Sequence, residues 1–290
     1  MRRVPRERLK RAFENRELQV HYQPKFHLDT SELRGVEALL RWHTPANDWI
    51  SPSIFVPMLE ETGLIGEVGA WLFEQAAADA DWWRRRGLDI GRIALNVSPL
   101  QLRSDDFLPW VLNMCGSWNS QGTALDIELT ESALLSEPER IVDAMEALVG
   151  ANVRFALDDF GMGYSSLDLL MRLPVSYLKI DRSFIARMLT SCKASALVEA
   201  IVRMAHEIGV ETIAEGIETA DQLQRLWELN CEIGQGHYFC PAMAREPLLE
   251  WLRARPSFRR PHDRPSQDTS MSDRHRNVAA AIAAAGYDIT

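Results

Sequence analysis

Seven polar side chains interrupt apolar, strand-like segments of the sequence, each near the C-terminal end of its segment. They are Glu37 in VEALL, Asn96 in ALNVS, Glu128 in DIELT, Asp158 and Asp159 in FALDD, Lys179 in LKID, and Glu215 in IAEG. Ionised groups inside buried strands are costly unless they are paired or bind a metal. In a closed parallel barrel the C-terminal strand ends meet at one mouth, where activity resides. We therefore expect these side chains to share one cavity.

The chemistry of such a set is that of a hard metal ion. Five carboxylates in one cavity would repel each other, and a divalent cation relieves that repulsion. Oxygen ligands without nearby His or Cys suit Mg2+ or Mn2+. The adjacent Asp158 and Asp159 could bridge two ions about 3.5–4 Å apart, an arrangement that activates water for in-line phosphodiester cleavage. Lys179 would stabilise the phosphate charge or control the proton of the water.

Several of these residues also have an ordinary structural explanation. Asp158 and Asp159 could cap a helix and complement its dipole. Asn96 could cap a turn, and Lys179 could form a surface ion pair with Asp181. Such independent causes would have to coincide at successive strand ends, so we favour a shared site.

The elements that must position this site alternate between short apolar runs and longer amphipathic ones. Strands are predicted at 18–24, 33–42, 92–98, 124–130, 153–159, 175–181, 210–216 and 236–239. Helices are predicted from Ser51-Pro52, over 66–86, 105–118 and 137–149, from 165, and over 193–208 and 220–229. Strands separated by helices indicate βαβ units and a mainly parallel sheet. About eight strands favour an α/β fold of the TIM-type (β/α)8 barrel class over an open sheet.

The domain boundary is predicted at the end of residues 1–253. Residues 254–276 are rich in Arg, Pro, Ser and Asp, and we expect the polar tail over 254–290 to be disordered, although VAAAIAAAGYDIT at its end could form a short helix. No G-x-G-x-x-G follows a predicted strand, which argues against a dinucleotide-binding fold.

Composition narrows the class of protein further. The chain has 290 residues and a formal net charge of -9, so duplex nucleic acid is not an expected partner. Four cysteines without C-x-x-C spacing indicate reduced thiols and a cytoplasmic location. No run of 18 apolar residues occurs, so we expect no membrane contact from this chain, although it could be the soluble part of a larger, membrane-attached protein.

A family resemblance rests on a series of short motifs in order along the chain. They are YQP from Tyr22, VEALLRW, LNVS, IELTES, ALDDFGMGYSS, LKID, AEGIET and GQGHYF. This series resembles that of the EAL-domain phosphodiesterases, named after Glu37-Ala38-Leu39, and it runs as far as about Met243. Any one motif alone is a weak signal, whereas all of them in order are highly specific.

The resemblance implies a function and a role for each matching residue. It implies hydrolysis of cyclic di-GMP to linear pGpG with one or two Mg2+ or Mn2+ ions, often in a homodimer. The first metal would be held by Glu37, Asn96, Glu128 and Asp158, and Asp159 and Glu215 would bind a second metal or accept the water proton, with Lys179 holding the water. Contacts to the nucleotide would come from Gln23, Leu39, Arg41, Asp181, Glu218 and Gln235. Glu131 would anchor the loop from Asp158 to Ser166.

Two departures from the family pattern and one alternative function remain. Met162 replaces the usual Thr of the loop, and the run from Phe239 to Ala242 reads FCPA in place of a basic residue followed by Pro. The alternative is a cyclic di-GMP receptor or regulatory EAL-like domain that does not cleave the nucleotide. Such a receptor would be expected to lack Glu37, an aspartate, Lys179 or Glu215, and this chain keeps all of them.

Overall fold

The computed structural model describes residues 5–120, 122–130, 138–161 and 167–255. The strands in these ranges are β1 Leu18–His27, β2 Leu33–His43, β3 Trp49–Ile50, β4 Arg92–Asn96, β5 Ala124–Thr130, β6 Arg154–Phe160, β7 Tyr177–Ile180, β8 Glu211–Ala214 and β9 Ile233–Gly234. The helices are α1 Arg6–Glu14, α2 Pro52–Glu61, α3 Ile65–Arg84, α4 Pro99–Leu102, α5 Phe107–Ser120, α6 Pro138–Gly150, α7 Leu167–Arg172, α8 Arg182–Arg187, α9 Cys192–Glu207, α10 Ala220–Glu228 and α11 Arg245–Ala254. The predicted disordered tail lies, from residue 256 onward, outside the described residues.

Eight of the strands close into a barrel. The hydrogen-bonded order is β1-β9-β8-β7-β6-β5-β4-β2, and β1 also pairs with β2, which completes the ring. The short β3 extends the sheet beyond β2 and is not part of the ring. Helices connect most of the successive barrel strands, so the predicted TIM-type α/β barrel is confirmed.

The first strand runs against the direction of its neighbours. β1 pairs antiparallel with β2 and with β9. The other neighbouring strands of the ring pair in parallel, in the order β2, β4, β5, β6, β7, β8 and β9. A tight connection between β1 and β2 requires this reversal, because parallel neighbours need a long crossover. β1 also continues past Pro24, the predicted end, as far as His27.

The last barrel strand was placed wrongly by the sequence pattern. GHYF, at 236–239, is not a strand; the strand that closes the barrel is Ile233–Gly234. A Cβ at Gly236 would lie 2.2 Å from the carbonyl oxygen of Ile217. The chain turns at this close backbone approach, which only glycine permits.

Helix caps fix the loops beside the barrel mouth. Ser98 and Gln101 form a reciprocal capping box at the start of α4, two residues after Asn96. Thr219 and Gln222 form another at the start of α10. The predicted helix start at Ser51-Pro52 is confirmed, but the Ser51 side chain makes no cap bond.

Apolar packing surrounds the barrel, and charges occupy part of its interior. The main core joins strand residues such as Phe26 and Ile93 to helix residues such as Trp83 and Val202. A smaller cluster packs α1 and α2 against Trp42. Within the described ranges, no helix combines the length and apolar character needed to cross a bilayer.

Candidate active site

Four carboxylates surround the ammonium group of Lys179 at the barrel mouth. The Lys179 Nζ atom lies 2.5 Å from Glu128 Oε2, 2.6 Å from Glu215 Oε1, 3.0 Å from Asp158 Oδ2 and 3.8 Å from Glu37 Oε1. These residues belong to β2, β5, β6, β7 and the residue after β8. The predicted convergence of distant strand ends on one point is therefore present in the fold. We call these five residues the carboxylate cage.

Two amide side chains hold Glu37 in place. Asn96 Nδ2 donates to Glu37 Oε1 at 2.8 Å, and Gln235 Nε2 donates to Glu37 Oε2 at 2.7 Å. Gln235 Nε2 also lies 3.2 Å from Glu215 Oε1, so it links two members of the cage. The Oε1 atom of Gln235 is buried and, among the described residues, has no hydrogen-bond partner. A donor or a cation at this position would satisfy it.

A bulge interrupts β6 at the two adjacent aspartates, of which Asp158 contacts Lys179. The register between β6 and β7 shifts between Leu157 and Phe160, so Asp158 and Asp159 oppose the single residue Lys179. Asp159 adopts a left-handed backbone conformation with φ of 55°. A non-glycine residue in this region costs about 1 kcal/mol or more, and such strain is concentrated at functional sites. Regular alternation would have sent the two side chains to opposite faces of the sheet.

Opposite charges dominate the electrostatics at the centre of the cage. Burial disfavours the charged form of Lys179, but Glu128, Glu215, Glu37 and Asp158 outweigh it and raise the pKa of Lys179 well above its usual value. Burial also disfavours the charged form of Glu128 and by itself would raise its pKa. Lys179 and a second lysine, Lys25, outweigh burial and lower the pKa of Glu128 to about 2. Both central groups are therefore charged at neutral pH.

The outer carboxylates experience the opposite effect. Burial, together with repulsion from Asp158, Glu37 and Glu128, raises the pKa of Glu215 to about 8, against the attraction of Lys179. Burial and repulsion from Glu128 raise the pKa of Glu37 in the same way. The four carboxylates outnumber the two lysines, Lys179 and Lys25, so the cage favours an additional cation.

Lys25 is a buried charge that the sequence analysis missed. It lies on β1, is 3% exposed, and its Nζ donates to Glu128 Oε1 at 2.9 Å. The predicted strand ended at Pro24, which left Lys25 outside the barrel. A lysine flanked by Pro24 and Phe26 in an apolar strand was the signal available in the sequence.

The donor types fit a hard divalent cation. In the described part of the chain, no group of three or more His, Cys, Asp and Glu side chains is arranged to hold a metal ion, and Lys179 Nζ is the point on which the carboxylates converge. The four carboxylates and the Asn96 side chain nevertheless offer oxygen atoms as metal ligands. Oxygen ligands are those that Mg2+ and Mn2+ prefer. The unpartnered Gln235 Oε1 lies beside them. A cation and Lys179 Nζ would compete for the same oxygens.

Comparison with known proteins establishes the family. The EAL-domain family profile matches residues 6–242, which include every strand of the barrel. This chain belongs to the EAL-domain family. The carboxylate cage is thus the polar centre of an EAL domain.

Curated relatives share the EAL domain and are much longer. The chain is 35% identical over 244 residues to the oxygen sensor protein DosP of Escherichia coli, covering 84% of this chain and 30% of DosP. It is 35% identical over 232 residues to the cyclic di-GMP phosphodiesterase PA2567 of Pseudomonas aeruginosa, covering 80% of this chain and 39% of PA2567. The chain therefore spans about a third of the length of these relatives.

A solved structure shows the same fold at similar identity. It is the PaMucR phosphodiesterase in complex with c-di-GMP, with 36% sequence identity and a TM-score of 0.78. The match covers 83% of this chain and 98% of that one. The barrel described above is therefore similar in fold to that of a relative whose structure contains c-di-GMP.

Two of the predicted nucleotide contacts of the EAL domain lie at the cage. Gln23 stands opposite Glu37 in the β1–β2 register, and its Nε2 donates to the carbonyl oxygen of Cys240 at 3.1 Å. Gln235 contacts Glu37 and Glu215 as described. Cys240 belongs to the FCPA segment, so this departure from the family pattern holds Gln23 through its backbone.

The remaining predicted contacts of the EAL domain are more peripheral. Leu39 and Arg41 follow Glu37 on β2 and are partly exposed, and Arg41 Nη1 donates to the carbonyl oxygen of Leu40 at 2.9 Å. Asp181 accepts a hydrogen bond from the Ser183 amide at 2.9 Å and so caps α8. Glu218 is exposed just before α10. Glu131 and Met162 lie outside the described residues.

Proposed function

We propose that this EAL domain hydrolyses cyclic di-GMP to linear pGpG. The observation that carries the proposal is the carboxylate cage, in which Lys179 contacts Glu37, Glu128, Asp158 and Glu215. A domain that only bound the nucleotide would not need this concentration of buried negative charge, which is costly to maintain. PA2567, named a cyclic di-GMP phosphodiesterase, supports the same reaction.

EAL phosphodiesterases are metal-dependent, and this chain has the residues that could bind a metal ion. Glu37, Asn96, Glu128 and Asp158 would hold a first Mg2+ or Mn2+ ion, and Asp159 and Glu215 a second. A bound cation would supply a water of lowered pKa and would neutralise phosphate charge. Asn96 and Gln235 keep the Glu37 carboxylate oriented toward the cage, as outer hydrogen bonds do at metal sites.

Different side chains of the protein have different proposed roles in hydrolysis. Lys179, within hydrogen-bond distance of three carboxylates, is placed to hold the attacking water and to offset the negative charge of the phosphoryl group. Glu215 and Asp159 are the candidate acceptors for the water proton. Gln23, Leu39, Arg41, Asp181, Glu218 and Gln235 are the proposed contacts to guanine, ribose and phosphate.

We also propose a cytoplasmic location and a homodimer. Free thiols at all four cysteines fit a cytoplasmic protein. A homodimer follows from the family resemblance, and light scattering of the purified chain tests it.

The deciding experiment identifies the product of the reaction. Purified protein is incubated with cyclic di-GMP and Mg2+ or Mn2+, and the product is identified by mass. We expect pGpG from the wild type, none from Glu37→Ala, and wild-type turnover from a control at the exposed Glu74, Glu74→Ala. Binding of cyclic di-GMP without any product at saturating metal would favour the receptor alternative.

A further inference from the structure

Lys25 is a buried lysine to which the proposed reaction assigns no role. Its side chain is 4% exposed and its ion-pair partner, Glu128, is fully buried. Within the described ranges, Glu128 is the one carboxylate within 4 Å of Lys25 Nζ. Burial of an ammonium group is expensive unless it is well paired, so the position of Lys25 and the position of Glu128 constrain each other.

The two lysines that contact Glu128 use different oxygens. Lys25 Nζ donates to Oε1 at 2.9 Å, and Lys179 Nζ donates to Oε2 at 2.5 Å. Oε2 is therefore the oxygen that contacts the centre of the cage, and Oε1 is the oxygen held by Lys25. A group that replaced Lys179 at Oε2 would leave the bond from Lys25 intact.

Lys25 reaches Glu128 from deeper in the barrel. In the β1–β2 register Gln23 stands opposite Glu37, and Lys25 stands opposite Gly35, two residues further from the mouth. On β5, Asp126 lies two residues before Glu128 and so points to the same face. Lys25 thus lies on the interior side of Glu128.

The other interior acid already has its own partner. Arg92 Nε donates to Asp126 Oδ1 at 2.5 Å, and Arg92 Nη2 donates to the carbonyl oxygen of Leu125 at 2.9 Å. Asp126 is thus paired with Arg92, and Glu128 is the carboxylate paired with Lys25. The barrel interior therefore contains the Arg92–Asp126 ion pair beside the Lys25–Glu128 ion pair.

We propose that Lys25 is a positioning residue for metal binding, which holds Glu128 by Oε1 and keeps Oε2 directed at the cage. This inference rests on the proposed function, because it concerns the ion that the reaction requires. Outer hydrogen bonds of this type orient metal ligands, and their loss weakens metal affinity about 10–100-fold. Lys25 remains on Glu128 in the apo protein and in the loaded one, whereas Lys179 shares its oxygens with the ion.

The test measures Mn2+ binding to the full chain, without nucleotide, by electron paramagnetic resonance. We expect Lys25→Met to raise the Mn2+ Kd at least 10-fold relative to the wild type. In the hydrolysis assay the Mn2+ concentration for half-maximal rate should rise similarly, with kcat at saturating Mn2+ changed less than about threefold, the pattern of lost ligand orientation. Lys10→Met, at an exposed lysine paired with Glu14, is the matched control and should leave the Kd unchanged.

Several outcomes would overturn the inference. A Kd within twofold of wild type in folded Lys25→Met assigns Lys25 to structure alone, and tighter Mn2+ binding makes it a competing charge. If Lys25→Met does not fold, Lys25→Gln is carried through the same titration with the same threshold. A wild type that binds Mn2+ but makes no pGpG sinks the proposed reaction and leaves the comparison of Kd values valid. A wild type that binds no Mn2+ overturns both.

Discussion

Lys179 Nζ lies 2.6 Å from Glu215 Oε1, a carboxylate that directly follows a different strand of the barrel. The Lys179 side chain is 1% exposed, and its ammonium group offsets part of the repulsion among the clustered carboxylates. Lys179 thereby stabilises the fold and occupies the centre of the proposed reaction. Addition of a divalent cation should distinguish the two roles, because the cation can replace the charge of Lys179 in stabilising the fold.

Replacement of Lys179 by methionine tests this dual role. Loss of the cation leaves buried carboxylates uncompensated, so Lys179→Met should lower the metal-free free energy of unfolding by about 3–5 kcal/mol. Hydrolysis of cyclic di-GMP should fall by about 100-fold or more, since one charge-stabilising group is lost. Urea denaturation with and without MnCl2, and the product assay, measure the two effects. Mn2+ should restore more stability to the variant than to the wild type, and equal restoration would contradict the shared position.

Gln235 is expected to act through the two carboxylates that it contacts. Gln235→Leu keeps the side-chain volume but removes the bonds to Glu37 and Glu215. The metal concentration for half-maximal hydrolysis should rise about 10-fold, as for other outer ligand partners. The free energy of unfolding should fall by about 1–3 kcal/mol, because the buried Glu37 carboxylate loses one of its two amide donors. Activation by metal at the wild-type concentration would show that Gln235 does not orient the cage.

Tyr22 and Asp79 make a buried contact that joins the barrel to α3. The Tyr22 hydroxyl donates to Asp79 Oδ2 at 2.6 Å, and Asp79 also accepts hydrogen bonds from Gln75 and Arg245. Tyr22→Phe should cost about 1.5–3 kcal/mol of unfolding free energy, the range for a bond to a charged group. Urea denaturation measures it. Asp79→Ala should lower the unfolding free energy further, because it leaves the Tyr22 hydroxyl and the Arg245 guanidinium without this partner. A smaller loss for Asp79→Ala than for Tyr22→Phe would contradict the network.

His21 gives the stability a pH dependence of known sign. Burial, together with the nearby Arg41, lowers the pKa of His21 to about 4. The unfolded chain, with an ordinary histidine pKa of about 6.5, takes up a proton first as the pH falls. The stability that His21 contributes is therefore present above pH 6.5 and is lost toward pH 4, with a loss of about 2 kcal/mol by pH 5.

The measurement compares the wild type with His21→Gln. Denaturation at pH 7.5 and at pH 5 should show a smaller loss of stability in the variant, by about 2 kcal/mol. Other titrating groups affect both proteins alike and cancel in the difference. Equal losses in the two proteins would mean that His21 is not kept neutral by the fold.

The order of motifs along the chain predicted the family, the barrel and the convergence of Glu37, Glu128, Asp158 and Glu215. These predictions succeeded because polar residues at the ends of buried strands need partners, and in a barrel those ends share one pole. Local composition was less informative at GHYF, where a close backbone approach at Gly236 makes a turn in place of a strand. The Glu131 anchor and the nucleotide contacts remain predictions.

The sequence by itself determined which side chains would meet at the mouth, because that depends only on residue type and strand order. The tertiary structure decided how they meet. The reversed β1 brings Lys25 into the barrel, and the β6 bulge lies at Asp158, which contacts Lys179. Register and backbone conformation depend on contacts between residues far apart in the chain, so no local pattern in the sequence carries them.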